Sequence, residues 1–156
     1  MNVMRRSVLK SMGAGSALAA MLVTGLMRPI QAFAAEWNKT AFEAKSVADG
    51  MKSIGAGGAA ESKDIVLNAP SIAENGAVVP ISVVSNIPNT THISIFVDKN
   101  PFPLTASFEF ANGALPDVAV RLKFSDTSAV RAVVMAGGKA YTTSKEVKVT
   151  AGGCGG

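Results

Sequence analysis

The chain carries only one cysteine, one histidine, one tryptophan and one tyrosine. A single cysteine excludes an intrachain disulfide framework, and a single histidine removes most zinc sites, so no metal or other cofactor is expected. Charged residues are scarce at 17% while hydrophobic residues reach 48%, which excludes wholesale disorder and supplies a packed core. Acidic residues are missing altogether before Glu36. Arg5, Arg6, Lys10 and Arg28 account for the whole formal charge of +4, because the rest of the chain holds 11 basic and 11 acidic residues. No basic stretch with interleaved aromatics occurs there, which argues against a nucleic-acid partner. At 156 residues the chain has room for one ordinary domain.

The basic, acid-free start reads as an address. Residues 1–34 combine a basic opening, an apolar stretch from Met12 to Met27 and the small-x-small triplet Ala32-Phe33-Ala34, the pattern of an export signal with its cleavage site. The apolar stretch is too short and too rich in Gly and Ala for a permanent membrane anchor. Arg5-Arg6-Ser7-Val8-Leu9-Lys10 resembles a twin-arginine leader, which implies export of an already folded chain to the periplasm.

Residues 35–60 are expected to form one short helix and a Gly-rich linker. Thr40 and Glu43 have capping-box spacing, and Ala44, Val47, Met51 and Ile54 recur at helical intervals before Gly55-Ala56-Gly57-Gly58. Over residues 61–150 the period changes to two. Val79, Ile81 and Val83 alternate with small or polar neighbours, as do Ile93, Ile95 and Val97, then Leu104, Ala106, Phe108 and Phe110, then Val118, Val120, Leu122 and Phe124. Further β-rich runs lie at 129–135 and 146–150, and Asn-, Gly- and Pro-bearing turns separate them. About seven short strands at such spacing predict an all-β fold, an antiparallel sandwich of immunoglobulin-like type without the Cys–Trp–Cys hallmark. Arg121 and Lys123 read as the solvated face of their strand, an anionic partner or ligand being the alternative. Open sandwich edges also predict that another chain covers an edge or a face.

Residues 151–156, Ala-Gly-Gly-Cys-Gly-Gly, carry the chemistry. A lone cysteine is ordinarily a buried small hydrophobe. Among glycines, which bring no side chain to pack and much entropy to lose, Cys154 is instead expected to be exposed on a slim arm formed with Gly152, Gly153, Gly155 and Gly156. No His, Asp or Glu lies within six residues of it, so the arm has no base of its own; Lys145 and Lys148 are the nearest groups that would favour thiolate. Prenylation would require three residues after the cysteine, and copper handling would want a second soft ligand. Three readings remain: a swinging covalent carrier processed by other proteins' active sites, an assembly module that forms an intermolecular disulfide, and a thiol enzyme pairing Cys154 with His92.

Tail and body together resemble the SoxY family of sulfur-oxidation carrier proteins. The resemblance rests on Gly-Gly-Cys-Gly-Gly after Val147-Lys148-Val149-Thr150, on Ile65-Val66-Leu67-Asn68-Ala69-Pro70, on Ile72-Ala73-Glu74-Asn75-Gly76 before Val79-Pro80, on Lys99-Asn100-Pro101 and on Arg121. Ala151 departs from the larger aliphatic residue common before the glycines. The resemblance implies a non-enzymatic carrier whose Cys154 holds thiosulfate-derived intermediates covalently. It implies a heterodimer with SoxZ and transient contacts with the SoxAX cytochrome, the SoxB hydrolase and, where present, the SoxCD sulfur dehydrogenase.

Overall fold

The structure is a computed structural model that describes residues 38–151; residues 1–34, read above as the leader, and residues 152–156 of the arm lie outside the described residues. Two helices open the described chain, where the sequence predicted one. Helix α1 spans Lys39–Glu43 and helix α2 spans Val47–Ser53. The break between them corrects the Thr40–Glu43 capping box. Asn38 caps α1 by accepting the Ala41 N–H, and Ser46 caps α2 by accepting the Asp49 N–H at 3.1 Å. Asp49 returns as acceptor of the Ser46 hydroxyl at 2.7 Å, so the reciprocal side-chain cap stands six residues later than expected. Gly55, at φ +75°, ends α2 in the left-handed region that favours glycine.

Nine strands follow: β1 Ala60–Glu61, β2 Ile65–Asn68, β3 Ile72–Ala73, β4 Val79–Ser85, β5 Thr90–Val97, β6 Leu104–Glu109, β7 Asp117–Leu122, β8 Ser128–Ala136 and β9 Lys139–Val149. They form an all-β sandwich of two sheets. The larger sheet runs β1-β9-β8-β5-β6, with β3 also pairing with β9, and the smaller runs β2-β4-β7. All pairings are antiparallel except those of the two-residue strands β1 and β3, which lie parallel to β9. The chain thus leaves the large sheet after β1, crosses to the small sheet as β2 and returns as β3.

The period-two alternation maps directly onto the space between the sheets. Val79, Ile81 and Val83 of β4 are buried there against Ile93, Ile95 and Val97 of β5, with Val130, Ala132 and Val134 from β8 and Phe124 after β7. Full burial of side chains this size contributes roughly 1.5–3 kcal/mol each, which makes this layer the main source of cohesion.

A second, smaller core lies on the other face of the large sheet. Phe96 points away from Ile95 and Val97, and the helices cover it together with Leu104 and Val133; Ala41 and Ala56 complete the cluster. Strands β5 and β8 are therefore apolar on both faces at their centres, as a strand covered on both sides must be. Gly50 permits the close approach of α2, because a Cβ built there would stand 2.8 Å from Phe96 Cε1. Lys45, between the helices, lies over the Phe102 ring at 3.6 Å from its centroid and fastens the helical layer to the loop before β6.

Candidate functional site

The last strand ends in a clamp. Its residues come from three loops at one end of the sandwich, and most of its bonds are backbone bonds. On one side the returning segment 71–76 holds β9: the Lys148 N–H donates to Ser71 O, the Thr150 N–H donates to Ala73 O, and the Gly76 N–H donates to Ala151 O at 2.7 Å. The Thr150 hydroxyl adds a bond to Glu74 O at 3.1 Å. Asn75 shapes this loop by accepting the Ala77 N–H on its side-chain oxygen, which turns the chain so that the Gly76 N–H is available. On the other side the Thr127 hydroxyl accepts the Val149 N–H at 2.9 Å.

The surrounding loops are tied to one another as well. Asn100 donates from its amide to Lys123 O at 2.7 Å and accepts from the Ser125 N–H at 3.0 Å, joining the loop after β5 to the loop after β7. The Ser128 hydroxyl accepts the Lys99 N–H, and Arg131 pairs with Asp98 at 3.1 Å just behind. With Lys148, Val149 and Thr150 held on both sides and the Ala151 carbonyl bonded to Gly76, the strand end is a firm root for the arm. Cys154 lies three residues further on, so its Cα can stand no more than about 11 Å from that of Ala151.

Two stretches singled out in the sequence meet here. Ile72–Gly76 forms the clamp, and Lys99-Asn100-Pro101 braces the loop beside it. Thr127 was not singled out, since a threonine in a Ser-Asp-Thr-Ser turn carries no pattern that would single out its hydroxyl for the last strand. We expect Thr127→Val to leave the Val149 N–H without its partner and to destabilise the chain by about 1–2 kcal/mol. Faster amide exchange at Val149 and a melting temperature lower by a few degrees are the measurements; unchanged exchange there would contradict the clamp.

His92 is not brought to this end. It sits on β5 opposite Met135 of β8, which in turn faces Ala140 of β9. The nine steps from Ala140 to Val149 span about 30 Å of strand. That is nearly three times the reach of Cys154 from Ala151, so one chain does not assemble a thiol–imidazole pair from these residues. His92 is a strand residue whose Nδ1 lies 3.0 Å from the Thr91 hydroxyl. Among the described residues no group of three or more His, Asp or Glu side chains could hold a metal ion. Cys154 and Gly152, Gly153, Gly155 and Gly156 themselves lie outside the described residues.

Comparison with known proteins bears on this arrangement. The family model for the sulfur oxidation protein SoxY matches residues 51–154, which takes in both the clamp and the cysteine. The solved structure of the sulfur carrier protein SoxY from Chlorobium limicola f thiosulfatophilum matches with a TM-score of 0.62 and 40% sequence identity, covering 72% of this chain and 99% of that one. A superoxide reductase (neelaredoxin) from Ignicoccus hospitalis matches at 22% identity with a TM-score of 0.49, covering 55% of this chain and 79% of that one. No curated protein matches. With the family model matching two thirds of the sequence and the solved carrier 40% identical over 72% of the chain, the chain belongs to the SoxY family of sulfur-oxidation carrier proteins.

Proposed function

We propose that this chain is a periplasmic sulfur carrier that holds thiosulfate-derived intermediates covalently on Cys154 and presents them to partner enzymes. The observation that carries the reading is the match to the SoxY model over residues 51–154, a span that includes the only cysteine of the chain. The clamp around Ala151 supports it, since a carrier needs a fixed root from which its cargo-bearing residue reaches out. The Arg5-Arg6 leader supports export of the folded chain by the twin-arginine route.

The chemistry follows from what the chain provides and what it lacks. Cysteine is the side chain that forms a reversible sulfur–sulfur bond. Joining the Cys154 thiolate to the sulfane sulfur of thiosulfate makes one S–S bond and releases two electrons, which a partner of the c-type cytochrome kind, SoxAX, accepts. Water then attacks the outer sulfur in a hydrolase of the SoxB kind, sulfate leaves, and a persulfide stays on Cys154. A SoxCD-type dehydrogenase, where present, oxidises that remaining sulfur. With no base within six residues of the cysteine, activation of the thiol falls to the partners' sites. SoxZ is the expected permanent partner, covering part of the open sandwich surface.

Intact mass measurement of the chain, isolated without reductant from cells given thiosulfate, tests the reading. Reductant-labile additions of sulfur and of thiosulfonate on Cys154 are the expected result. A chain found only as the free thiol, or only as a disulfide-linked homodimer, would overturn it in favour of the assembly module.

A further inference from the structure

The outer face of the small sheet carries a cleft of about 600 Å³. Asn68, Ala69 and Pro70 form one wall, Ser82 lies on its floor, and Arg121 stands across from them on β7. Lys145 enters from β9 and donates from Nζ to Ala69 O at 2.6 Å, which holds its ammonium at the rim. Both cations are exposed. Arg121 differs from Lys145 in having no hydrogen bond and no ion pair among the described residues. Asn68 donates to the Ser82 hydroxyl at 3.2 Å, leaving the Ser82 O–H free to point toward a ligand. The acidic residue on the same face of β7, Asp117, is four residues from Arg121, about 13 Å along the strand.

The cleft lies within reach of the arm. Gly76 N–H donates to Ala151 O, and Gly76 O accepts the Phe124 N–H. Two backbone bonds thus connect the root of the arm to the end of β7, and Arg121 stands three residues back from Phe124, about 10 Å. Cys154 Cα can lie up to about 11 Å from Ala151 Cα, before the length of its own side chain, of a sulfur adduct and of the Arg121 side chain is counted. A thiosulfonate on Cys154 would place three acceptor oxygens and a negative charge at the end of that tether. Guanidinium groups bind such oxoanions with paired hydrogen bonds, and ammonium groups bind them as point charges.

We propose that the cleft between Arg121 and Lys145 is a docking site, on the carrier itself, for the oxoanion head of the cargo borne by Cys154. The proposal rests on the carrier reading above and adds a resting place for the loaded arm. Exposed charge pairs are individually weak and screened by salt. A weak site suffices here, because a short tether holds the head group at an effective concentration in the millimolar range. Weakness is also useful, since the head group must leave the cleft when a partner's site offers stronger contacts. In the sequence, exposed Lys123 follows Arg121 and exposed Lys148 precedes the root, and both add positive charge that exposed Glu146 and Glu74 offset in part.

The test loads the purified, isotope-labelled chain chemically. Tetrathionate gives Cys154 a thiosulfonate, the thiolate attacking a central sulfur as thiosulfate leaves; methyl methanethiosulfonate gives it a neutral S-methyl group with methanesulfinate leaving. Mass confirms each adduct, and amide chemical shifts report the cleft. The charged adduct is expected to move the amides of Ala69, Ser82, Ala119 and Arg121, and the neutral adduct to leave them in place. Arg121→Gln, or 1 M salt, is expected to abolish the movement, and Arg121→Lys to restore part of it. A thiosulfonate adduct confirmed by mass that leaves these amides unmoved, or that moves them equally in Arg121→Gln, overturns the docking site. Because loading here is chemical, that outcome leaves the carrier reading standing, and failure to find sulfur adducts in cells would not touch the shift result.

Discussion

Phe96→Ala is expected to cost about 3–5 kcal/mol of stability, among the largest losses a single truncation in this fold should cause. The side chain is fully buried and lies where three elements meet: β5 beneath it, Leu104 of β6 beside it and α2 above it at Gly50. The expectation combines lost apolar transfer with a cavity that cannot close easily. Collapse would require α2 to descend onto the sheet, yet Ser46 and Asp49 hold its start, and Asn38 donates to Ser53 O across the two helices at 3.0 Å. Against a total of about 5–15 kcal/mol for a domain of this kind, the loss is about a fifth or more. Urea unfolding of wild type and variant reads it directly. A change under about 1 kcal/mol would mean that the helical layer is not seated on the sheet as described. The arm root is built from other residues, so below its lowered melting temperature the variant should still load at Cys154.

Phe96 also marks where the sequence ceases to disclose the fold. Strict alternation located β4, β5, β6 and β7, because one face of each meets the inter-sheet core and the other, along most of its length, meets polar surroundings; β8 stands in the sequence only as a β-rich run. Phe96 falls on the second face of β5, in register with His92 and Ser94, and alternation alone assigns it to solvent. Only the helices, which contribute nothing to the pattern of β5 itself, turn that position into core. The first half of β9 was hidden for the opposite reason. Lys139 to Lys145 carries three consecutive hydroxyl residues, Thr142, Thr143 and Ser144, and its strand conformation is set by the Gly137-Gly138 turn and by pairing with β8 along its whole length. The turn itself was readable, both glycines having the positive φ that the hairpin demands. In the helical segment the apolar stripe was real but its continuity was not: Ala44 caps the first helix with an extended ψ of 136°, and Ser46 starts the second. At the site, the sequence indicated the segment 72–76 and Asn100 without saying what they do. Their role is carried mainly by backbone bonds and by one amide side chain, and neither leaves a periodic trace.

Replacing the sulfur itself is expected to have the largest functional effect with the least structural cost. Cys154→Ser should abolish every covalent sulfur adduct while leaving the melting temperature unchanged. Serine matches cysteine in shape and differs at the one atom the chemistry uses. Its hydroxyl stays protonated at neutral pH and makes no sulfur–sulfur bond, whereas an ordinary cysteine thiol with a pKa near 8.5 has a usable thiolate fraction that a partner's site can enlarge. The expected loss is therefore complete, and no partner activity should restore it. Stability should not follow, because among the described residues the sheet pairings and both apolar clusters are made by residues up to Thr150, and the clamp bonds by residues up to Ala151. His92→Ala is the informative companion: it removes the other candidate residue of a thiol–imidazole pair, about 30 Å of strand away from the arm root, and should load as fully as wild type. A serine variant that still acquires sulfur from thiosulfate would remove Cys154 as the attachment point and the carrier reading with it. Loss of loading in both variants would instead bring His92 back into the chemistry, through a second copy of the chain, since one chain does not bring the two residues together.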